Sequence, residues 1–289
     1  VDIPEQITSQ ITDEQIRKIA DLFTNLLTAA KVTTKRCTLS LPNSAVFTSV
    51  IDMPKMDDRE MDSAMQFEAK KYIPLPFSEV TLSWIIIADN EDNATCKVLL
   101  IAVPNQIRDV YIKLFSLAGL NLEIIEIEAL SLIRALTLDS NQNDVIIDIG
   151  AKVTGLNIVR NGTLQLTRNL TIGGDTITER ISQALNLSIP RAEQFKRDFG
   201  LRNTDFLPEV VQIIDQYKEH NVKLDRIVLV GGGAQLPGIV EYFSHDLGIP
   251  TVLGDPLSRV SYNESIKPIL SRFSLHLSVA TGLAIRQEA

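Results

Sequence analysis

Residues 144–162 read DVIIDIGAKVTGLNIVRNG, and this stretch decides the fold class. Val145–Ile149 is an unbroken apolar run of strand length, the pattern of a strand buried on both faces. Val153–Arg160 reads as a second strand, Asn161-Gly162 as a tight hairpin turn, and Thr163–Leu170 as the returning third strand. Downstream, Gly173-Gly174 opens a helix over Asp175–Leu187. Pro190 suits the first turn of the next helix, which closes at Gly200. Arg226–Val230 is another buried strand, and it delivers Gly231-Gly232-Gly233-Ala234 into a helix expected to end at Gly248. Ile249–Leu253 gives a last short strand. Arg272–Arg286 is expected to be one helix, with Leu275, Val279 and Leu283 apolar and with Ala280 and Gly282 small enough for close packing.

Upstream, Thr12 and Gln15 have capping-box spacing ahead of Ile16, Ile19, Phe23, Leu26, Leu27 and Ala30 at helical intervals. Strands follow over Cys37–Leu41 and Val46–Asp52. Asp57 and Glu60 repeat the cap for a helix reaching Ile73, where alternate prolines in Ile73-Pro74-Leu75-Pro76-Phe77 force extended backbone. Strands Val80–Ala88 and Thr95–Val103 flank a turn over Asp89–Asn93. A helix from Asn105 to Ala118 stops at Gly119, then come strand Leu122–Ile127 and helix Ala129–Leu138. From Val46 to Ile127 the order is strand, helix, strand, strand, helix, strand, a compact α+β unit.

Bulk composition narrows the function. The chain of 289 residues is long enough for two domains at about 150 residues each. Its formal net charge of -8 and pI near 5.0 argue against a nucleic-acid backbone as partner, which demands a surplus of Lys and Arg. Cys37 and Cys96 both sit in apolar alternating segments and read as reduced core residues rather than a disulfide or metal framework. His220, His245 and His276 are scattered, so thiolate or imidazole metal chemistry is not expected. Runs such as Val98–Val103 are too short to cross a bilayer, and Val1–Gln10 lacks the apolar core of a signal peptide. A cytoplasmic protein is the expectation.

Three glycine turns are the candidate chemistry. In Asp148-Ile149-Gly150-Ala151-Lys152-Val153-Thr154, glycine permits close approach of phosphate oxygens, and Asp148 at a strand end suits Mg²⁺ held through water. Gly231-Gly232-Gly233 would let a ligand lie on bare backbone; Leu236 stands where the dinucleotide fingerprint needs its third glycine, so that motif is excluded. Gly173-Gly174-Asp175 is followed by Glu193 and Lys196 three residues apart on one helix face, able to bracket a ribose or to form a solvent-exposed ion pair. No Walker A sequence, no G-x-S-x-G elbow and no Cys–His pair is present.

In this order the turns resemble those of the actin-like ATPase superfamily, close to FtsA. Residues 145–162 are similar to its second phosphate loop, RIVLVGGGAQLPGI (226–239) to its adenosine motif and SVATGLAIR (278–286) to its second connecting helix. More narrowly, LSLPNSAVFTSVIDMP (39–54), FEAKKYIPLPFSEVTLSW (67–84) and AGLNLEIIEIEALSLIRAL (118–136) resemble the PilM family of type IV pilus assembly proteins. The resemblance implies an α/β, actin-like two-lobed fold with ribonuclease H-like sheets and a small α+β subdomain, about 46–127, inserted in the first lobe. The first lobe would be 1–138 and the second 144–271, with 272–289 a helix returning to the first lobe. It implies ATP with Mg²⁺ between the lobes: Asp148, Gly150 and Thr154 at phosphate and metal, and Gly174, Glu193, Lys196, Gly231, Gly232 and Gly233 at ribose and adenosine. Glu128 falls near the place where active relatives position water.

The same resemblance implies a cytoplasmic scaffold, peripheral to the inner membrane, that holds the cytoplasmic N-terminal tail of a PilN-like membrane protein and meets other platform proteins. Helix Asp57–Ile73 and strand Val46–Asp52 are candidates for the groove, with core packing the alternative role for their apolar positions. Homo-oligomers are left open, as are a type II secretion scaffold and a small-molecule kinase of the same superfold. The family's first phosphate loop precedes the point where this sequence starts. Without its charged hydrogen bonds, each worth roughly 1.5–3 kcal/mol, ATP binding is expected to weaken by ~10²–10⁴-fold, leaving weak ATPase activity at most.

Overall fold

The computed structural model describes residues 7, 10–89, 94–139, 141–200, 208–218 and 223–286. Most of the turn expected over Asp89–Asn93, most of Val1–Gln10 and much of Leu201–Asp225 fall outside the described residues. The chain divides into two units, Val1–Ile127 and Glu128–Ala289.

In the first unit, helix α1 (Asp13–Ala29) starts at the expected capping box: the Gln15 amide N–H donates to Thr12 Oγ1 and the Gln15 side chain accepts from the Thr12 N–H. It buries Ile16, Ile19 and Ala20 and packs on α3 (Asn105–Leu117), where Phe23 and Phe115 lie 5.9 Å apart. Strands β1 (Arg36–Leu41) and β5 (Asn121–Ile127) form a parallel pair of their own. A separate antiparallel sheet has the order β2 (Phe47–Pro54), β4 (Thr95–Pro104), β3 (Val80–Asp89). Helix α2 (Asp58–Glu68), capped by Asp57 and Glu60, inserts Met61 and Met65 among Ile51, Met53, Val98 and Leu100. Because β4 is central and covered on both faces, Val98, Leu99 and Leu100 are all buried, which explains why its sequence is continuously apolar.

The second unit is built on a five-stranded sheet, order β10-β9-β6-β7-β8. Strands β6 (Asn143–Ile149), β7 (Thr154–Arg160) and β8 (Thr163–Leu170) are antiparallel neighbours, while β9 (Arg226–Val230) and β10 (Thr251–Leu253) run parallel to β6. Asn161 and Gly162 both have positive φ, 51° and 72°, as their hairpin turn requires. Val145, Ile146, Ile147 and Ile149 are fully buried. Helices α4 (Glu128–Leu136), α5 (Gly174–Leu185), α6 (Ile189–Phe199), α7 (Pro208–Lys218), α8 (Ile239–Leu247), α9 (Lys267–Phe273) and α10 (Ser278–Ala284) complete the unit. Phe243, Val210, Ile214, Leu132 and Leu136 join the sheet in one core.

The structure departs from the sequence pattern at two places. Gly231–Ala234 does not run straight into a helix. It enters a 3-10 turn over Gly232–Gln235, and α8 begins only at Ile239. Pro237 holds Leu236 in extended backbone and Gly238 sits at φ 83°, so helix cannot be continuous through them. The helix expected over Arg272–Arg286 is also broken, by a 3-10 turn at Ser274–Leu277 between α9 and α10. The break leaves the Leu275 carbonyl to accept from the Gly231 N–H at 3.2 Å, a bond a continuous helix would have preempted. Helix α7 is an element that the sequence pattern did not reveal.

Helices α4 and α10 meet with almost no side chain between them. A β-carbon at Gly282 would collide with the Ser131 carbonyl, and Arg134 donates to the Gly282 carbonyl at 2.6 Å. Gly282→Ala is therefore expected to destabilise the protein by about 1–3 kcal/mol through overpacking, read as a lower thermal midpoint by circular dichroism. An unchanged midpoint would contradict this account of the helix contact.

Candidate functional site

The exits of β6 and β9, the entry of β7 and the segment leading into α5 converge at one end of the second unit's sheet. Ligands of open α/β sheets bind at such strand exits, where backbone ends and side chains are free of the core. At β6 the hairpin closes through the Gly150 N–H to the Val153 carbonyl, 3.0 Å. The Gly150 carbonyl then accepts from the Gly174 N–H at 3.0 Å, and the Ala151 carbonyl from the Asp175 N–H at 2.8 Å. A β-carbon at Gly173 would strike the Ala151 and Gly150 carbonyls. Glycine is thus needed for backbone to lie directly on backbone. The amides of Gly150 and Gly174 are committed to the fold, so what these two glycines present outward is shape rather than donors. Thr154 is likewise occupied: it is fully buried, and its hydroxyl donates to the Ile172 carbonyl at 2.7 Å.

On the other side of β6, the glycine turn after β9 is fitted to its neighbours one residue at a time. Gly231, at φ 81°, has no room for a β-carbon because Asp148 Oδ1 and the Ile149 carbonyl stand there. Gly233 lies on the Ile149 side chain, and a β-carbon at Gly232 would sit 3.0 Å from His276 Nε2. Asp148 is half-buried, and burial raises its carboxyl to about 6, with the His276 charge opposing that rise. A carboxyl kept up by burial fits a site that gains a cation, since a divalent ion nearby reverses the effect. Asp148, Gly150, Gly174, Gly231, Gly232 and Gly233 are thereby brought together. Glu128 is the first residue of α4, and none of these contacts reaches it.

Glu193 and Lys196 form neither a solvent-exposed pair nor an open bracket. Lys196 is 6% exposed, and its ammonium donates to the Gly174 carbonyl (2.9 Å) and Thr178 Oγ1 (2.8 Å) while pairing with Glu193 Oε2 at 2.6 Å. Thr178 also donates to Glu193 Oε2, and Arg197 donates to Oε1. The cluster pins α6 to the first turn of α5, directly behind the Gly150–Gly174 contact. His276 is the residue that sequence reasoning missed. It lies 128 residues from Asp148, with no local motif to flag it, and only the 3-10 break at Ser274–Leu277 sets it beside Gly232.

Residues 1–288 match the family model described as type IV pilus assembly protein PilM. The chain belongs to the PilM family. The solved PilM-PilN type IV pilus biogenesis complex superposes with a TM-score of 0.84 at 25% identity, over 98% of this chain and 88% of that one. FtsA of Streptococcus pneumoniae is 29% identical over 178 residues, 48% of this chain and 38% of FtsA, and FtsA of Enterococcus faecalis is 24% identical over 226 residues, 59% and 51% respectively. The chain thus spans about half or less of the length of these curated relatives. ADP-bound MreB5 of Spiroplasma citri, at a TM-score of 0.52 and 16% identity over 97% of this chain and 77% of MreB5, shares the fold. The fold of this PilM-family chain is actin-like, as the glycine turns implied.

Burial works to raise the Glu193 carboxyl, but hydrogen bonds from Lys196, Thr178 and Arg197 outweigh it and hold it down at about 2. A depressed carboxyl stabilises the fold above its unfolded value of 4.5, and that contribution fades as pH falls toward 2. Glu193→Gln should cost about 1–2 kcal/mol at pH 7, reduced from the full shift because the side chain is 32% exposed. Denaturant melts of parent and variant should converge between pH 4.5 and pH 2. A gap that stayed constant with pH would rule out this ion-pair account.

Proposed function

We propose that this PilM-family chain is a cytoplasmic, nucleotide-binding scaffold of the type IV pilus platform, peripheral to the inner membrane through a PilN-like partner whose N-terminal tail it holds. The observation that carries the reading is the likeness to the PilM-PilN complex over 98% of the chain. The glycine cluster around Asp148 supports the nucleotide half of it, and the ADP-bound structure of MreB5 shows the same fold accepting such a ligand.

In this reading Asp148 holds Mg²⁺ through water, as a single carboxylate at a strand exit suits that ion. Gly150, Gly173 and Gly174 let the polyphosphate approach bare backbone, while Thr154 fixes the loop from inside through Ile172. Gly231, Gly232 and Gly233 underlie the adenosine. Glu193 and Lys196 serve the ribose side from behind, by setting α6 on α5. The bound nucleotide supplies a charged strut whose presence tunes partner binding. No helix among the described residues is long and apolar enough to cross a membrane, which fits anchorage through a partner.

Calorimetric titration with Mg-ATP should show binding by the parent and at least tenfold weaker binding by Asp148→Asn, which keeps the shape and removes the charge. A synthetic N-terminal tail of a PilN-like protein should be captured by the parent in a direct binding assay. Absence of nucleotide binding at millimolar Mg-ATP would overturn the first half of the reading, and absence of tail capture the second.

A further inference from the structure

Two polar side chains in the core of the second unit meet no hydrogen-bond partner. Asn157 of β7 is fully buried, and neither its Oδ1 nor its Nδ2 is bonded. Thr167 of β8 is 8% exposed, and its buried Oγ1 is unbonded too. The two are a register pair across the β7–β8 ladder, so they stand side by side on one face of the sheet. Ile146 and Val228 continue that row through β6 and β9. Val228 and Leu136 of α4 both crowd Gly254, which identifies this face as the one α4 covers. Buried polar atoms of this kind cost stability unless something satisfies them.

We infer that Asn157 and Thr167 enclose a site for an internal water molecule, which bridges the Asn157 carboxamide to the Thr167 hydroxyl beneath α4. The chemistry of the pair selects the occupant. A carboxamide and a hydroxyl offer donors and acceptors but no charge, which suits a small neutral molecule able to do both. The carboxylates of β6 on the same face are engaged elsewhere: Asp144 pairs with Arg226, and Asp148 lies against Gly231. Packing is relaxed on both sides of the pair. Toward the strand exit, the next residue of β7 on this face is Gly155, which contributes no side chain and is only half-buried. Toward the other end the ladder carries a bulge at Ile158 and Val159, where Gln165 is left unopposed. Internal waters typically make about three hydrogen bonds to groups otherwise unmet, and these two side chains supply three such atoms. The inference is independent of the nucleotide reading.

A crystal structure of the whole chain, at a resolution that shows ordered water, decides it. A solvent atom is expected within about 2.7–3.2 Å of both the Asn157 carboxamide and Thr167 Oγ1. The double variant Asn157→Leu with Thr167→Val keeps both shapes and removes all three polar atoms, and its structure should be dry there. Thermal melts give a second reading. Each single substitution strands the remaining polar atoms and should lower the midpoint by about 3–6 °C, while the double variant returns to within about 2 °C of the parent. A direct hydrogen bond from Asn157 to Thr167 in the parent, with no solvent atom between them, overturns the inference, as does an empty site. A solvent atom that persists in the double variant overturns it as well, because the polar pair would not be what holds it. A double variant whose midpoint falls by the sum of the two singles shows the side chains to be uncoupled and overturns the bridge. If the double variant does not fold, the parent structure alone decides.

Discussion

No β-carbon fits between the exit of β6 and the segments on either side of it. Gly150 and Gly173 touch through carbonyls on one side, and Gly231 and Gly233 touch Asp148 and Ile149 on the other. Everything else at this end of the sheet follows from that constraint. Backbone can approach backbone this closely only where side chains are missing, and the resulting hydrogen bonds use up the amides of Gly150, Gly174, Asp175 and Gly231. The cluster is therefore rigid before any ligand arrives, and the geometry it offers is preorganised rather than assembled on binding.

The buried Lys196 extends this rigidity outward. A lysine with its charge out of water is tolerated only if its donors are satisfied, and here three oxygens surround it. One of those oxygens is the Gly174 carbonyl, whose own residue donates to Gly150. Helix α6 is thus coupled to the β6 hairpin through two consecutive hydrogen bonds. The spacing of Glu193 and Lys196 was legible in the sequence, but burial was not: an i, i+3 pair looks alike whether it faces solvent or a helix beneath it.

Local signals were legible wherever a short-range rule governs the backbone. Thr12 with Gln15, Asp57 with Glu60, and Asn161-Gly162 each act within four residues, and each appears in the structure as the sequence implied. The features that were not legible depend on distant partners. The 3-10 break at Ser274–Leu277 exists where Gly231 takes the Leu275 carbonyl, and His276 reaches Gly232 only because of it. The delayed start of α8 was readable in principle, since Leu236-Pro237-Gly238 carries both a pre-proline restriction and a helix-breaking glycine. The glycine cluster itself could be suspected as three turns, but their convergence came from sheet order, which periodicity does not encode.

Strand β6 carries two carboxylates on one face, four residues apart, and the structure treats them oppositely. Asp144 is fully buried and met by the Arg226 guanidinium in a two-point ion pair, 2.8 and 2.9 Å, with Arg226 also reaching the Leu136 carbonyl. That pair is closed, and its charge is spent on joining β6 to β9. Asp148 at the other end is half-buried, is raised to about 6 by burial, and is opposed only by the His276 charge, which stands at the exposed rim. A fold gains little by leaving a carboxylate so poorly compensated when it neutralises another on the same strand so fully. The asymmetry is what the cation site proposed for Asp148, beside the bare turn at Gly231, would require.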